Sequence, residues 1–324
     1  MPISRWLLLL FASMTAAAGC RPADSHTHNA SQGESVHRFT GEYPIKVVCT
    51  IGQVAEMVRR VGGDQVAVDA LMGPGIDPHL YSPVASDVRK LRASDAIFYN
   101  GLHLEGRMAE LFVQMARAKA TFAVTEGLQT REDPRLREPP EFEGLYDPHV
   151  WHDPRLWADC AGDVAEMLAE FDSAHAEQYR RNAKAYRAEL AELDKFCRQE
   201  LERIPENRRV LVTAHDAFGY FGAAYQIDVF GLKGISTDGE KDLKHQEDIQ
   251  RMLVERQIPA IFVESAVAPR TIEALVEPAR AAGLDLKIGG ELYADALGAA
   301  DSDAATYAGM IRHNVRTIAA ALAP

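Results

Sequence analysis

Cysteine is scarce in this chain: four among 324 residues, at positions 20, 49, 160 and 197, with no CxxC spacing. That pattern excludes a disulfide scaffold and a cysteine-rich zinc cluster, and leaves Cys49, Cys160 and Cys197 to be read as small buried apolar residues. Basic residues are in deficit, 35 against 47 acidic ones, for a formal net charge of -12. Nucleic acid is thereby disfavoured as a partner, because a phosphate backbone selects basic surface. The one long apolar run, Trp6 to Ala18, is too short and too poorly flanked to span a bilayer as a helix. GxSxG elbows, GxxxxGK[ST] phosphate loops and HExxH helices are all missing. "LMGPGIDP" has a glycine pair but lacks the third glycine and the helix start of a dinucleotide loop.

What is present begins with a leader. Arg5, the apolar run and the small residues of "AAGC" have the layout of a secretory signal over 1–19. The same ending resembles a bacterial lipoprotein box, with Ala17 where leucine is usual, so Cys20 is expected to become the first mature residue and to carry lipid. Multiple acyl chains give stable anchoring, and the expected location is exported, periplasmic or at the cell surface, held to the membrane through Cys20. Residues 20–42 are polar and aperiodic, the signature of a flexible tether. His26, His28 and His37 fall within it and read as solvated residues, with a metal-gathering role open.

From Ile45 onward, short β-branched runs alternate with amphipathic stretches, the pattern of parallel sheets flanked by helices. "IKVVCT", "VAVDALMG", "DAIFYNG" and "TFAVTEG" form one set of strands, and "RVLVTA", "IDVFGLKG", "AIFVES" and "LKIGGEL" a second with similar spacing. The reading is an α/β protein of two pseudo-symmetric lobes, 43–173 and 206–324, related as a repeat at domain scale. Between them, 174–205 is predicted to be one long rigid helix. It lacks interior Gly and Pro, and Tyr179, Ala183, Tyr186, Leu190, Leu193, Cys197, Leu201 and Ile204 recur at steps of four and three. At about 1.5 Å per residue such a helix is on the order of 45 Å long, enough to run along both lobes and to restrict them to small movements.

Three histidines stand where strands give way to loops, the edge at which α/β sheets place ligands. His79 follows "VAVDALMG" and His215 follows "RVLVTA", whereas His149 precedes a helix starting near Trp157; Asp295 lies beyond the last strand. His79 and His149 each close a DPH triplet, in which proline stiffens the turn and the aspartate is placed to accept from a ring N–H, freeing the other nitrogen for metal. Imidazole with carboxylate suits zinc and accommodates manganese or iron. His149 and His152, three apart in "DPHVWHDP", lie between Pro148 and Pro154. Residues before proline are pushed toward extended geometry, so the stretch reads as a loop in which only one ring can face a cleft.

"DPHLYSP", "NGLHLEG", "DPHVWHDP", "HDAFGYFG", "IFVES" and "GGELYADALG", in that order over nearly the whole mature chain, resemble the TroA-type metal receptors of bacterial ABC importers for zinc, manganese and iron. The resemblance implies two lobes joined by a long helix, with one divalent transition metal between them, zinc or manganese ahead of iron. It implies as ligands His79, His149, His215 and Asp295, and as partners a metal permease and its ATPase, with the receptor a monomer and not an enzyme. It leaves His152 at the surface or in an outer contact, makes His103 a hydrogen-bonding residue, and makes Glu264 and Asp147 candidates to support the ligands. His245 and His313 read as surface or packing residues. The loop "REDPRLREPPEFEGLY" has no histidine, unlike many zinc-specific members, whereas manganese receptors often carry glutamate where His215 stands. Two other readings stay open: a metal-dependent hydrolase using His149 and His152 with a carboxylate, and a surface adhesin in which metal is structural.

Overall fold

The computed structural model describes residues 37–142, 144–239 and 243–324. Cys20, His26 and His28 lie outside the described residues. The first sheet is built from β1 (Ile45–Cys49), β2 (Val66–Ala70), β3 (Ala96–Tyr99) and β4 (Ala120–Ala123), in the order β2-β1-β3-β4. All its pairs are parallel, with Ile45 opposite Val66 and Val47 opposite Ala96. Parallel strands need helical crossovers, and here α1 (Gly52–Gly62), α2 (Ala85–Ala93) and α3 (Ala109–Ala116) supply them, followed by α4 (Glu126–Thr130) after β4. β1 is buried at every residue but Lys46, near its start, as a largely covered parallel sheet requires.

The second half repeats the arrangement with β5 (Val210–Thr213), β6 (Asp228–Gly231), β7 (Ala260–Glu264) and β8 (Lys287–Leu292). β5 pairs with β6 and β7 with β8, both in parallel, and β5 lies alongside β7. These are two two-stranded sheets, and with β5 beside β7 their spatial order β6-β5-β7-β8 repeats that of the first sheet. Its helices are α7 (Gly219–Tyr225), α8 (Leu243–Glu255), α9 (Arg270–Glu273), α10 (Val276–Ala281) and α11 (Tyr307–Leu322), which packs on β8. The two lobes, each built of parallel strands flanked by helices, thus follow one strand order.

Between the halves run α5 (Pro154–Phe171) and α6 (Ala176–Leu201), packed along each other. α6 has 26 residues, about 39 Å of helix at 1.5 Å per residue. It touches α1 and α5 from the first half of the chain and α7 and α11 from the second. Its buried side chains are Tyr179, Ala183, Tyr186, Leu190, Leu193, Cys197 and Leu201, the stripe read from the sequence, with Ile204 buried just beyond. Burying each large apolar member of that stripe contributes about 1.5–3 kcal/mol, so bending α6 away from either lobe carries a cost of several such terms. No helix among the described residues is long and apolar enough to cross a membrane.

Candidate metal centre

Three of the four predicted ligands sit in loops just beyond strands, the fourth, His149, precedes the turn into α5, and the fold brings them together. His79 lies in the loop between β2 and α2, His215 two residues past β5, Asp295 three past β8, and His149 immediately before a single 3-10 turn, Val150–His152. Each of the four offers one donor atom, and those atoms lie within 4.8 Å of one another. Among the described residues no second grouping of three or more His, Cys, Asp or Glu has this property. The Nε2 atoms of His79 and His149 are 3.2 Å apart. Asp295 Oδ1 is 3.4 Å from His149 Nε2, and Oδ2 is 3.2 Å from His215 Nε2 and 3.7 Å from His79 Nε2.

His79 Nε2 and His149 Nε2 are within hydrogen-bond distance of each other, but the other converging atoms are not satisfied. His215 Nε2 and both Asp295 oxygens are buried with no hydrogen-bond partner, although each lies close to an opposite charge. A buried polar group without a partner costs free energy, and three of them facing one point make a place where a cation is favourable. Three imidazole nitrogens and one carboxylate form a donor set that fits a borderline divalent ion.

The supports behind the ligands differ. His149 Nδ1 is 2.8 Å from Asp147 Oδ1, which also accepts the His149 backbone N–H at 3.0 Å. His215 Nδ1 is 2.5 Å from Glu264 Oε2, and Glu264 Oε1 accepts the His215 backbone N–H at 2.9 Å. In both cases the carboxylate holds the ring through Nδ1 and leaves Nε2 toward the centre. Asp77 does not match Asp147. Its Oδ1 accepts the backbone N–H of His79 at 2.9 Å, and its Oδ2 accepts from Thr237 Oγ1 at 2.6 Å. The expectation that both DPH aspartates hold their own histidine rings is corrected for Asp77: it is occupied by backbone amides on one side and the other lobe on the second.

The charges follow these contacts. Burial opposes a charge on His149, but Asp147 and Asp295 outweigh it and raise its pKa to about 9. Burial likewise opposes charge on His215, and Glu264 and Asp295 overcome it, placing the pKa well above the usual value. His79 is pushed down to about 3 by burial, with His149 and His215 adding to the effect against Asp295. Burial would raise Asp295, yet His215 and His149 hold it well below the ordinary carboxylate range.

The "DPHVWHDP" stretch departs from the extended loop read from its prolines. Val150–His152 forms one 3-10 turn, closed by His152 N–H to His149 O and Asp153 N–H to Val150 O. The proline effect survives one residue later: Asp153 is extended before Pro154 and caps α5 through the Arg155 N–H. His152 is fully buried, so the surface alternative is corrected. Its Nε2 donates to Ala294 O at 3.1 Å, beside Trp151 Nε1 at 2.9 Å on the same carbonyl. The turn carrying His149 is thereby pinned to the residue preceding Asp295.

The remaining histidines among the described residues stay outside the centre. His103 is exposed with φ 63° in the loop after β3, His245 Nε2 is 2.9 Å from Gly231 O, and His313 Nε2 is 3.0 Å from Glu291 O. His37 is near the α3 terminus, 3.3 Å from Ala116 O. The residues that sequence reasoning missed are Trp151, Ala294 and Thr237. Their partners lie 143 and 160 positions away, so no local pattern marks them.

Comparison with known proteins gives concordant matches. A sequence profile of the family described as ZnuA, zinc-uptake complex component A, periplasmic, matches residues 47–321. The chain is 42% identical over 284 residues to the manganese-binding lipoprotein MntA of Bacillus subtilis, covering 87% of this chain and 91% of that one. It is 41% identical over 277 residues to the zinc-binding protein TroA of Treponema pallidum, covering 86% and 88%. The solved structure of the Treponema pallidum periplasmic zinc-binding TroA aligns with a TM-score of 0.81 at 40% identity, over 86% of this chain and 99% of that one.

Proposed function

Because the chain belongs to the ZnuA family of periplasmic zinc-uptake components, we propose that it is an extracytoplasmic receptor that captures one divalent transition metal and hands it to an ABC-type permease driven by an ATPase. The observation that carries this reading is the buried group of His79, His149, His215 and Asp295, with donor atoms within 4.8 Å. Three Nε2 atoms and the Asp295 carboxylate are the ligands, Asp147 and Glu264 hold two of the rings, and the metal is cargo. Members of this family take part in transport, and the hydrolase reading has no support from them. The protein has no catalytic role in this scheme, acts as a monomer, and is anchored through lipid on Cys20.

Zinc and manganese are both within range of this site. Two relatives of nearly equal identity are named for different metals, manganese for MntA and zinc for TroA. Three imidazoles bind zinc more tightly than manganese under equal supply, so the affinity order is zinc first whichever metal the cell delivers. The test is elemental analysis of protein from its native host, with calorimetric competition between Zn²⁺ and Mn²⁺ in vitro. One equivalent of bound metal, lost when His215 and Asp295 are both replaced by alanine, is expected; retention of full affinity by that double variant would overturn the ligand set. Mass spectrometry of the mature N-terminus tests the lipid on Cys20.

A further inference from the structure

The loop that bears His79 is tied to the opposite lobe by a contact that involves no ligand atom. Thr237 Oγ1 donates to Asp77 Oδ2 at 2.6 Å, joining positions 160 residues apart. Thr237 is 2% exposed, so its hydroxyl has little access to water as a substitute partner. On the same carboxylate, Oδ1 accepts the backbone N–H groups of His79 at 2.9 Å and Leu80 at 3.4 Å. One carboxylate therefore sets the turn that presents His79 and also grips the facing lobe.

The far end of the grip is fastened as firmly. Lys233 Nζ donates to Thr237 O at 2.8 Å, and Gly234 N–H to Gly239 O closes the 234–239 loop at 3.1 Å. The base of that loop is bonded to the backbone around His215: Lys233 N–H to Ala214 O at 2.9 Å, and Asp216 N–H to Gly234 O at 3.1 Å. Ligand His79 is thus connected through Asp77, Thr237 and the 233–239 loop to ligand His215 without passing through the metal position. A second tie runs from Trp151 and His152 to Ala294 O. That second tie lies deep in the protein, whereas Ile76 and Leu80, at 40% and 38% exposure, place the Asp77 loop near the surface.

We infer that Thr237 and Asp77 form a latch across the lobes that holds the His79 loop against the His215 loop and sets how fast bound metal leaves. The inference rests on the receptor reading above and deepens it: Thr237 is a positioning residue that never touches the metal. A hydrogen bond to a charged acceptor, once removed, changes an equilibrium by roughly ten- to a hundredfold. The latch forms as the lobes come together and must break before His79 withdraws, so its loss falls on release and leaves capture nearly unchanged.

The experiment is stopped-flow release of Zn²⁺ from the full chain into excess chelator, with the association rate measured separately. Thr237→Val keeps the branched shape and removes the hydroxyl; the expected result is release faster by at least about tenfold with association within about twofold of wild type. Thr237→Ala, which inserts no methyl beside the carboxylate, is expected to match it, and Thr237→Ser to restore slow release. A packing role would give the opposite pattern, with the serine variant as fast as the alanine one, and that result overturns the latch. Unchanged release in both hydroxyl-free variants, or a loss of affinity residing in association alone, also overturns it. Failure of wild type to bind Zn²⁺ would sink the receptor reading and the latch together; binding by wild type with unaltered release in the variants sinks the latch alone.

Discussion

The tripeptide Asp-Pro-His occurs twice around one centre, at 77–79 and 147–149, and the two copies do different work. Asp147 turns back onto its own histidine and holds the ring through Nδ1 at 2.8 Å. Asp77 turns away from its ring, caps the backbone of His79 and reaches Thr237 in the other lobe. The rings diverge accordingly, His149 raised to about 9 and His79 lowered to about 3. The same tripeptide brings both Nε2 atoms to one centre but with opposite proton affinities, because the ring's charge is decided by what the rest of the chain packs around it.

The largest expected effect tests the half of this comparison in which the two copies agree. His79→Ala and His149→Ala each remove a proposed ligand, and each should weaken Zn²⁺ binding by more than the roughly 10–100-fold typical of losing a supporting partner. Competition calorimetry measures both. A loss below tenfold for either would remove that histidine from the ligand set and break the equivalence.

The next effect separates the copies by pH. A metal can bind Nε2 only after the ring proton has gone, so His149 and His215, held charged at neutral pH, must each release a proton, while His79 releases none. Near pH 7.5 affinity should therefore rise by up to about 100-fold per pH unit, a slope approaching two protons. For three isolated imidazoles the competition would instead end near their ordinary value of about 6.5. The metal-free fold shows the reverse dependence for His149. Its folded pKa is raised, so its contribution is complete below about 6.5 and is lost as pH climbs through about 9. His79 is lowered, so its burial costs stability as pH falls from about 6.5 toward about 3. Calorimetry in buffers of different ionisation enthalpy counts the released protons, and a count near zero at pH 7.5 would contradict this charge assignment.

A third, smaller effect comes from the aspartates. Asp147→Asn removes the charge that holds His149 and should cost roughly 10–100-fold in affinity. Asp77→Asn keeps an oxygen for the His79 backbone and offers an N–H to the Thr237 hydroxyl, so its loss should stay below about tenfold. Equal losses would mean that the triplets are equivalent after all and that the contacts of Asp77 carry no distinction.

How far the sequence reveals this arrangement depends on the range of each interaction. The strand sets, the apolar stripe of α6 and the ligands at strand ends are short-range patterns, and the chain displays them at spacings of two, three and four residues. The supports of the rings were half legible. Asp147 stands two residues from His149, but Glu264 is 49 from His215 and gave only the end of a strand as a signal. Thr237 and the carbonyl of Ala294 gave none, since a hydroxyl in a polar loop and a backbone oxygen look alike everywhere until the lobes meet. The split of the two triplets was illegible for the same reason: Asp77 is diverted by a residue that only the folded chain brings to it.

The smallest effect concerns the second histidine of "DPHVWHDP", whose ring is as buried as that of His149. Position alone would make it a fifth ligand, but its Nε2 is committed to Ala294 O at 3.1 Å, and burial lowers its pKa to about 3, so the ring is neutral and donates that one proton. Its Nδ1 has no hydrogen-bond partner, and the ring lies against Phe218 at 4.3 Å between centroids. Removing the ring costs packing and one of two donors to a carbonyl, while Trp151 Nε1 keeps the other at 2.9 Å. Asp295 then stays near its place, and His152→Ala should weaken Zn²⁺ binding by about tenfold, the lower end for a supporting partner. It should also lower the melting temperature of the metal-free protein, because a cavity opens beside Phe218. His152→Ala and His149→Ala side by side in the same calorimeter decide the matter: a greater loss of affinity from the first would transfer the ligand role to His152.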